Sequence, residues 1–504
     1  MWSIVDYINT TWLWWSVTIV YALIIFGIIA VVISENRNPV KSLAWVTVLL
    51  VVPAVGLVLY VVFGRNIQSK RIISRRNRRR LKRLQQEQTR ETPRLRRSQS
   101  QLQFIRLANS LQGSVCYEGN DVTIFDDGRS KFEALLRDIA SARSYINLEY
   151  YIFADDKIGT MVAEALEERA RAGVKVRVIY DSVGSFKTSS RFFKRLKKAG
   201  AEAYPFFKVA FPFLGTRVNW RNHRKIVVID GLIGYIGGMN IADRYVDGGK
   251  SFDCWRDLHL RITGPGVAAL QQSFAVDWNF MGQPLIEEDA GDVPPSESPS
   301  AAGVQLLTGG PVNQWMNLTL MFERAIATAK KSVWLQTPYF LPTEGLVHAL
   351  QVAALSKVDV RIMLPRRSDS DMLRWASFSY VQECLRAGIK IYLYDKGMLH
   401  SKAVIVDNDF STVGSTNFDF RSFEHNFEAN LLIYSREVNA RLRARFLEDQ
   451  KECIRVVPSV WRERPYIEKA LESVMRLFAP ILEQHDISRN ISQGTCHSEK
   501  ALGV

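Results

Sequence analysis

The strongest hydrophobic pattern lies in the first sixty-odd residues: two apolar runs, Trp12 to Ile33 and Leu43 to Phe63, each free of charged side chains. At a rise of ~1.5 Å per residue, each is long enough to cross a bilayer as a helix. Trp12, Trp14, Trp15 and Tyr60 fall near the expected water interfaces, where amphipathic rings settle. A cleaved signal peptide is the rival reading of the first run, but residues 1–11 hold no Lys or Arg and a second run follows after nine residues. The pattern therefore predicts a two-helix transmembrane hairpin over residues 1–64.

Beyond about residue 105 the periodicity changes, and the same order of elements occurs twice. Ile146 to Tyr150 reads as a strand, Ile158 to Ala172 as a helix and Val174 to Ile179 as a second strand. Val333 to Thr337, a helix around Leu346 to Leu355, and Val358 to Ile362 repeat that order. A third helix and strand follow in both copies, marked by Lys198-Ala199-Gly200 and Arg386-Ala387-Gly388. Strands alternating with helices predict an α/β fold. Two α/β sandwich halves, residues 105–283 and 304–482, are expected to form one catalytic unit. A Pro-, Ser- and acid-rich linker, residues 284–303, separates them, and a polar tail, residues 483–504, follows. The first half carries an insertion that includes Phe206, Phe207, Phe211, Pro212, Phe213 and Leu214. Core packing and an apolar loop that admits acyl chains are both open readings of it.

Charge sharpens this picture. Of the net +15, +12 falls between Arg65 and Arg97, where 14 Lys and Arg residues face only Glu87 and Glu91, which leaves +3 for the rest. Residues 65–104 thus read as a basic juxtamembrane segment. Two readings stay open for it, a helix on anionic headgroups or a solvated stop-transfer linker. The positive-inside rule sets both termini and everything after Arg65 in the cytoplasm. Nucleic acid is not expected as a partner: the basic run has no aromatic to stack on a base, and the remainder is too weakly basic for a phosphate groove. The five cysteines, Cys116, Cys254, Cys384, Cys453 and Cys496, form no C-x-x-C pair and read as reduced thiols.

The candidate chemistry is also duplicated. His223-Arg224-Lys225-x4-Asp230 recurs as His400-Ser401-Lys402-x4-Asp407, each followed by a small pair and an asparagine: Gly237-Gly238-Met239-Asn240 and Gly414-Ser415-Thr416-Asn417. In an extended strand residues two apart share a face, so each His presents its imidazole beside a lysine. Asp230-Gly231 and Asp407-Asn408 are turn dipeptides that predict hairpins, which would set Gly238 opposite His223 and Ser415 opposite His400. Each copy reads as a pocket with one imidazole, one cation and one amide donor, a set suited to a phosphodiester. The imidazole attacks phosphorus or moves a proton, while Lys and Asn hold the charged oxygens. A metal site fits poorly, because each His brings a cation and no Cys or carboxylate stands at ligand spacing.

These paired motifs resemble the phospholipase D superfamily. Together with the membrane hairpin they are similar to bacterial cardiolipin synthases. The likeness includes Asn36 to Pro39, Leu43-Ala44-Trp45, Tyr60 to Asn66, Asn222 to Lys225, Trp255-Arg256-Asp257, Arg421-Ser422-Phe423, Asn426-Phe427-Glu428 and Arg476 to Leu482. His425, where an aliphatic residue is expected, and the polar tail depart from the family pattern. The resemblance implies a cofactor-free transfer of a phosphatidyl group between two phosphatidylglycerol molecules through a phosphatidyl-histidine. One His attacks and the other is acid and base, with His223 favoured as nucleophile; His223, Lys225, Asp230, His400, Lys402 and Asp407 would form the catalytic set. Asn240, Asn417, Gly238 and Ser415 would line the pockets, and Asp257 and Glu428 would each steady the His of its own half. A membrane-bound phospholipase D, a nuclease or a non-enzymatic scaffold are the alternatives.

Overall fold

The computed structural model describes residues 4–34, 39–52, 56–57, 60, 97–207, 220–286, 295–296, 298 and 301–482. It divides into two units, residues 1–67 with 209–219 and residues 68–208 with 220–504.

In the first unit, helix α1 (Ile4–Ser34) contains a 20-residue stretch, Trp14–Ile33, of mean hydropathy 2.8. Helix α2 (Pro39–Val51) packs on it, Ile25, Val32 and Leu49 forming a buried cluster with Tyr60, and the Trp45 and Tyr60 rings meet edge to face at 5.5 Å. Among the described residues α1 alone is long and apolar enough to span a membrane. The second expected run begins in α2, and part of it lies outside the described residues, as do the basic residues from Arg65 to Arg96 and the tail from 483.

In the second unit the first half supplies β1 (Cys116–Phe125), β2 (Tyr145–Tyr150), β3 (Lys175–Asp181), β4 (Glu202–Phe206), β5 (Arg221–Asn222), β6 (Lys225–Ile229), β7 (Ile233–Gly237), β8 (Trp255–Arg256) and β9 (His259–Thr263). The second half supplies β10 (Ala302–Gly309), β11 (Ser332–Gln336), β12 (Phe340–Leu341), β13 (Asp359–Pro365), β14 (Lys390–Tyr394), β15 (Met398–Leu399), β16 (Ala403–Val406), β17 (Phe410–Gly414), β18 (Phe418–Asp419), β19 (Asn426–Tyr434) and β20 (Cys453–Arg455).

One continuous sheet runs β4-β3-β2-β6-β7-β9-β1 and on through β10-β19-β17-β16-β11-β13-β14-β20. The antiparallel β1–β10 pair, with Cys116 facing Gln305, is its midline. Read outward from there, β9, β7, β6, β2, β3 and β4 repeat as β19, β17, β16, β11, β13 and β14. The apolar runs of β6 and β16 are buried on both faces, which is why they lack polar alternation. Val227 and Ile229 join the layer covered by helices Gly128–Ser141 and Lys157–Arg171, and Ile226 and Val228 join the layer covered by helix Val267–Phe280.

Two expected boundaries need correction, and one open reading is narrowed. Helix Gln99–Gln112 crosses the boundary expected at residue 105; its capping box, Ser98 with Gln101, starts it, and Arg97 pairs with Glu118. Strand β10 begins at Ala302, inside the expected linker. Phe206 ends β4 fully buried, its ring 5.2 Å from that of Phe427, so the first part of the apolar insertion is core. Phe211 to Leu214 lie outside the described residues.

Candidate active site

Each histidine is placed by a short parallel ladder between the halves. β5 pairs with the start of β19, Arg221 facing Asn426 and Asn222 facing Phe427, and the ladder continues as His223 N–H donates to Phe427 O at 2.9 Å. β15 pairs with β8, Met398 facing Trp255 and Leu399 facing Arg256, and His400 N–H donates to Arg256 O at 2.7 Å. The residue after each ladder is a buried carboxylate. His223 Nδ1 therefore meets Glu428 at 2.9 and 3.1 Å, and His400 Nδ1 meets Asp257 at 2.6 Å.

This corrects the expected pairing. Asp257 and Glu428 each brace the His of the opposite half, because the carboxylate strands cross the midline to lie beside the other half's histidine lead-in. The hairpin register differs as well. Ile229 faces Ile233 and Val406 faces Phe410, so both turns hold three residues, and the facing expected for Gly238 with His223 and Ser415 with His400 slips by one. Gly238 lies instead against Asp257, whose Oδ1 would stand 2.1 Å from a Cβ placed there, and Ser415 Oγ donates to Glu428.

Asp230 and Asp407 are not in the pocket. They sit at the far ends of β6 and β16 with φ of 54° and 49°. The Asp230 carboxylate accepts the backbone N–H groups of Arg143, Ser144 and Tyr145 at 2.7–2.8 Å. Asp407 accepts those of Lys330, Lys331 and Ser332 at 2.7–2.9 Å. Both are turn anchors that fix the hairpin to the neighbouring strand, a correction of the catalytic role expected from the motif.

Lys225 Nζ donates to His223 O at 2.6 Å, and Lys402 Nζ lies 2.7 Å from His400 Nδ1 and 3.8 Å from Asp257. Asn240 is committed within the protein: Oδ1 accepts from Ile152 N at 3.1 Å and Nδ2 donates to the Tyr245 hydroxyl at 2.7 Å. Asn417 is buried with an unpartnered Oδ1. Tyr151 edges His223 at 5.0 Å between ring centres, Tyr245 edges His400 at 5.9 Å, and Trp255 lies tilted against His400 at 5.4 Å. The roles of Tyr151 and Tyr245 had no signal in the sequence, since single aromatics beside a strand are common.

Burial governs the titration. It lowers His223 to about 4, against the pull of Glu428, and lowers His400 well below its usual value, with Lys402 acting the same way. Lys402 falls to about 8, chiefly by burial, and Lys225 falls well below the lysine range for the same reason. Burial raises Asp257 to about 6; for Glu428 burial is outweighed by His223, Lys225 and Ser415, so it stays an ionised carboxylate. Lys225 acts on His400 and Lys402 acts on His223, so the two sets share one electrostatic environment.

Two α/β halves joined at one sheet edge, each giving a His and a Lys to a shared site, define the phospholipase D class of phosphotransfer fold. Residues 135–278 and 322–450 match the family "Cardiolipin synthase, PLD-like domain", and residues 22–65 match "Phospholipase_D-nuclease N-terminal". A cardiolipin synthase of Geobacillus kaustophilus is 39% identical over 459 residues, covering 90% of this chain and 91% of its own. Cardiolipin synthase 2 of Bacillus cereus is 39% identical over 461 residues, covering 91% of this chain and 90% of its own. The crystal structure of phosphatidylserine synthase from Haemophilus influenzae Rd KW20 shares the fold, with a TM-score of 0.58 at 15% identity over 76% of this chain and 98% of that one. The chain belongs to the cardiolipin synthase family of the phospholipase D superfamily.

Proposed function

We propose that this phosphatidyltransferase moves a phosphatidyl group from one phosphatidylglycerol to a second, releasing glycerol and forming cardiolipin. The observation that carries the reading is the pair of cross-half His–carboxylate contacts in one buried site, in a chain 39% identical to curated cardiolipin synthases. With Nδ1–H donated to Glu428, neutral His223 keeps its Nε2 lone pair for phosphorus. As the P–N bond forms, the bond from phosphorus to the glycerol oxygen breaks, and His400 supplies that oxygen with a proton. The phosphodiester anion favours the protonated His400–Asp257 pair at this stage. His400, now neutral, takes the proton of the second lipid's hydroxyl, whose oxygen displaces the imidazole. Lys225 and Lys402 hold the non-bridging oxygens.

In this reading the hairpin holds the enzyme in the cell membrane as a multi-pass protein, with the catalytic unit cytoplasmic and its substrates in the anionic leaflet. Purified enzyme in phosphatidylglycerol vesicles should release glycerol and form cardiolipin in about equal amounts, with the rate unchanged by chelators. Phosphatidic acid as the main product at high lipid density would make it a hydrolase. Loss of activity in chelator, restored by one specific divalent ion, would refute the metal-independent step.

A further inference from the structure

Behind each histidine lies a buried polar network, and the repeat sets the two networks side by side. Asp230 N–H donates to Tyr145 O and Asp407 N–H to Ser332 O, both at 2.9 Å, which aligns β2 with β11 and makes Gln336 the counterpart of Glu149. Helix Val267–Phe280 meets β2 where Gln271 accepts from Asn147 at 2.9 Å. Helix Arg436–Lys451 meets β11 where the Arg443 guanidinium lies 3.8 Å from the centre of the Trp334 ring. Six residues further along each helix stands an aspartate, and two residues further along each strand stands the side chain that faces it: Asp277 with Glu149, and Asp449 with Gln336. In the second half both oxygens of the aspartate are satisfied. Gln336 Nε2 donates to Asp449 Oδ2 at 2.8 Å, and Arg256 Nε donates to Oδ1 at 2.7 Å.

The first half lacks one of those donors. Arg224 donates to Asp277 Oδ2, and its other contacts go to Ser273 Oγ and to the backbone carbonyls of Glu428 and Gly309. Asn222 Nδ2 donates to Glu149 Oε1. Glu149 and Asp277 have no exposed surface, and Glu149 Oε2 and Asp277 Oδ1 are buried without a hydrogen-bond partner. The other charged groups on this side are held elsewhere. Arg177 reaches Asn147 at 3.4 Å and Glu202 at 3.7 Å, Asp181 accepts the N–H groups of Val183, Gly184 and Asn222, each at 2.9 Å, and Lys225 turns to His223 O. Helix Val267–Phe280 brings no titratable residue besides Asp277. Two carboxylates facing one guanidinium in a dry interior leave a net negative charge and two orphaned acceptors, and one proton between them removes both costs.

We propose that Glu149 and Asp277 share one proton in the resting enzyme, and that this pair is a positioning element for His223. Glu149 supplies with a proton the donor that Gln336 supplies with an amide. Burial, with Asp277 acting the same way, holds Glu149 well above the glutamate range against the pull of Arg224. Asn222 and Arg224 flank His223 in the chain and each grips one member of the pair, so the pair fixes the strand on both sides of the imidazole. Loss of the proton would set two buried negative charges against one guanidinium and loosen that strand from β19. The inference goes beyond the transfer reading and holds whether the acceptor is a lipid or water.

The test uses the intact chain in detergent. Near neutral pH the infrared difference between wild type and Glu149→Gln should contain a protonated-carboxyl C=O band that the variant lacks. The unfolding constant of wild type relative to Glu149→Gln should rise about tenfold per pH unit above the free-glutamate value of about 4.3, because the folded chain keeps a proton that the unfolded chain has released. Glu149→Gln keeps a donor, so its turnover should stay within about threefold, while Glu149→Ala strands Asn222 and Asp277 and should lower kcat about tenfold or more with KM little changed. Absence of the band, as for two ionised carboxylates bridged by water, or a ratio that stays flat with pH, overturns the shared proton. Equal loss of turnover in the two variants overturns the positioning role. If Glu149→Gln does not fold, Asp277→Asn, which puts the donor on the other partner, decides: loss of the same band supports the shared proton and its persistence refutes it.

Discussion

Glu428→Gln tests the cross-half pairing most directly. Glu428 is fully buried and accepts from His223, Ser415 and Asn426, so its charge is balanced only inside this cluster. The contact with His223 at 2.9 Å is charge-assisted because Glu428 is ionised, worth ~1.5–3 kcal/mol. Removing His223 alone leaves a buried carboxylate short of a donor, while removing both relieves that penalty. A double-mutant cycle of Glu428→Gln with His223→Ala, read from unfolding midpoints in detergent, should therefore give a coupling of about 2 kcal/mol. The cycle of Glu428→Gln with His400→Ala should be additive within ~0.5 kcal/mol. In the transfer assay Glu428→Gln alone should lose about 10²-fold or more, since the amide can neither stabilise the imidazolium nor fix its tautomer. Strong coupling of Glu428 to His400 and none to His223 would refute the pairing.

Because burial depresses His223 to about 4, its stability term is full above the free-histidine value near 6.5 and is lost as pH falls toward 4. Over that window His223→Gln should flatten the pH dependence of stability by about 1 kcal/mol per pH unit, measured against wild type so that other groups cancel. Gly238→Ala would put a methyl 2.1 Å from Asp257 Oδ1, displacing the partner of His400; transfer should drop at least about tenfold while the far hairpin keeps its amide-exchange protection. Asp230→Ala should cost about 2–4 kcal/mol of stability through lost hydrogen bonds to Arg143, Ser144 and Tyr145. Its turnover per folded molecule should change far less than that of His223→Ala, and comparable losses would return Asp230 to the catalytic set.

Sequence by itself determined what depends on local periodicity and on identity in repeated motifs. The alternation of Ile146 to Tyr150 with the following helix, and its repeat from Val333, specified two α/β halves, because buried strands and amphipathic helices leave different apolar spacings. His223, Lys225, His400 and Lys402 were legible because one rare combination occurs twice. The same motif logic misassigned Asp230 and Asp407, since spacing along a chain cannot tell a carboxylate at the pocket from one at the far end of a strand.

Tertiary structure decided what depends on contacts between residues far apart in the chain. Glu428 lies 205 residues from His223 and Asp257 lies 143 from His400. No local pattern carries the information that β5 pairs with β19, or β15 with β8. The hairpin register turned on a single residue in each turn, below what a dipeptide signal resolves, and that residue moved Gly238 and Ser415 from the histidines to the carboxylates.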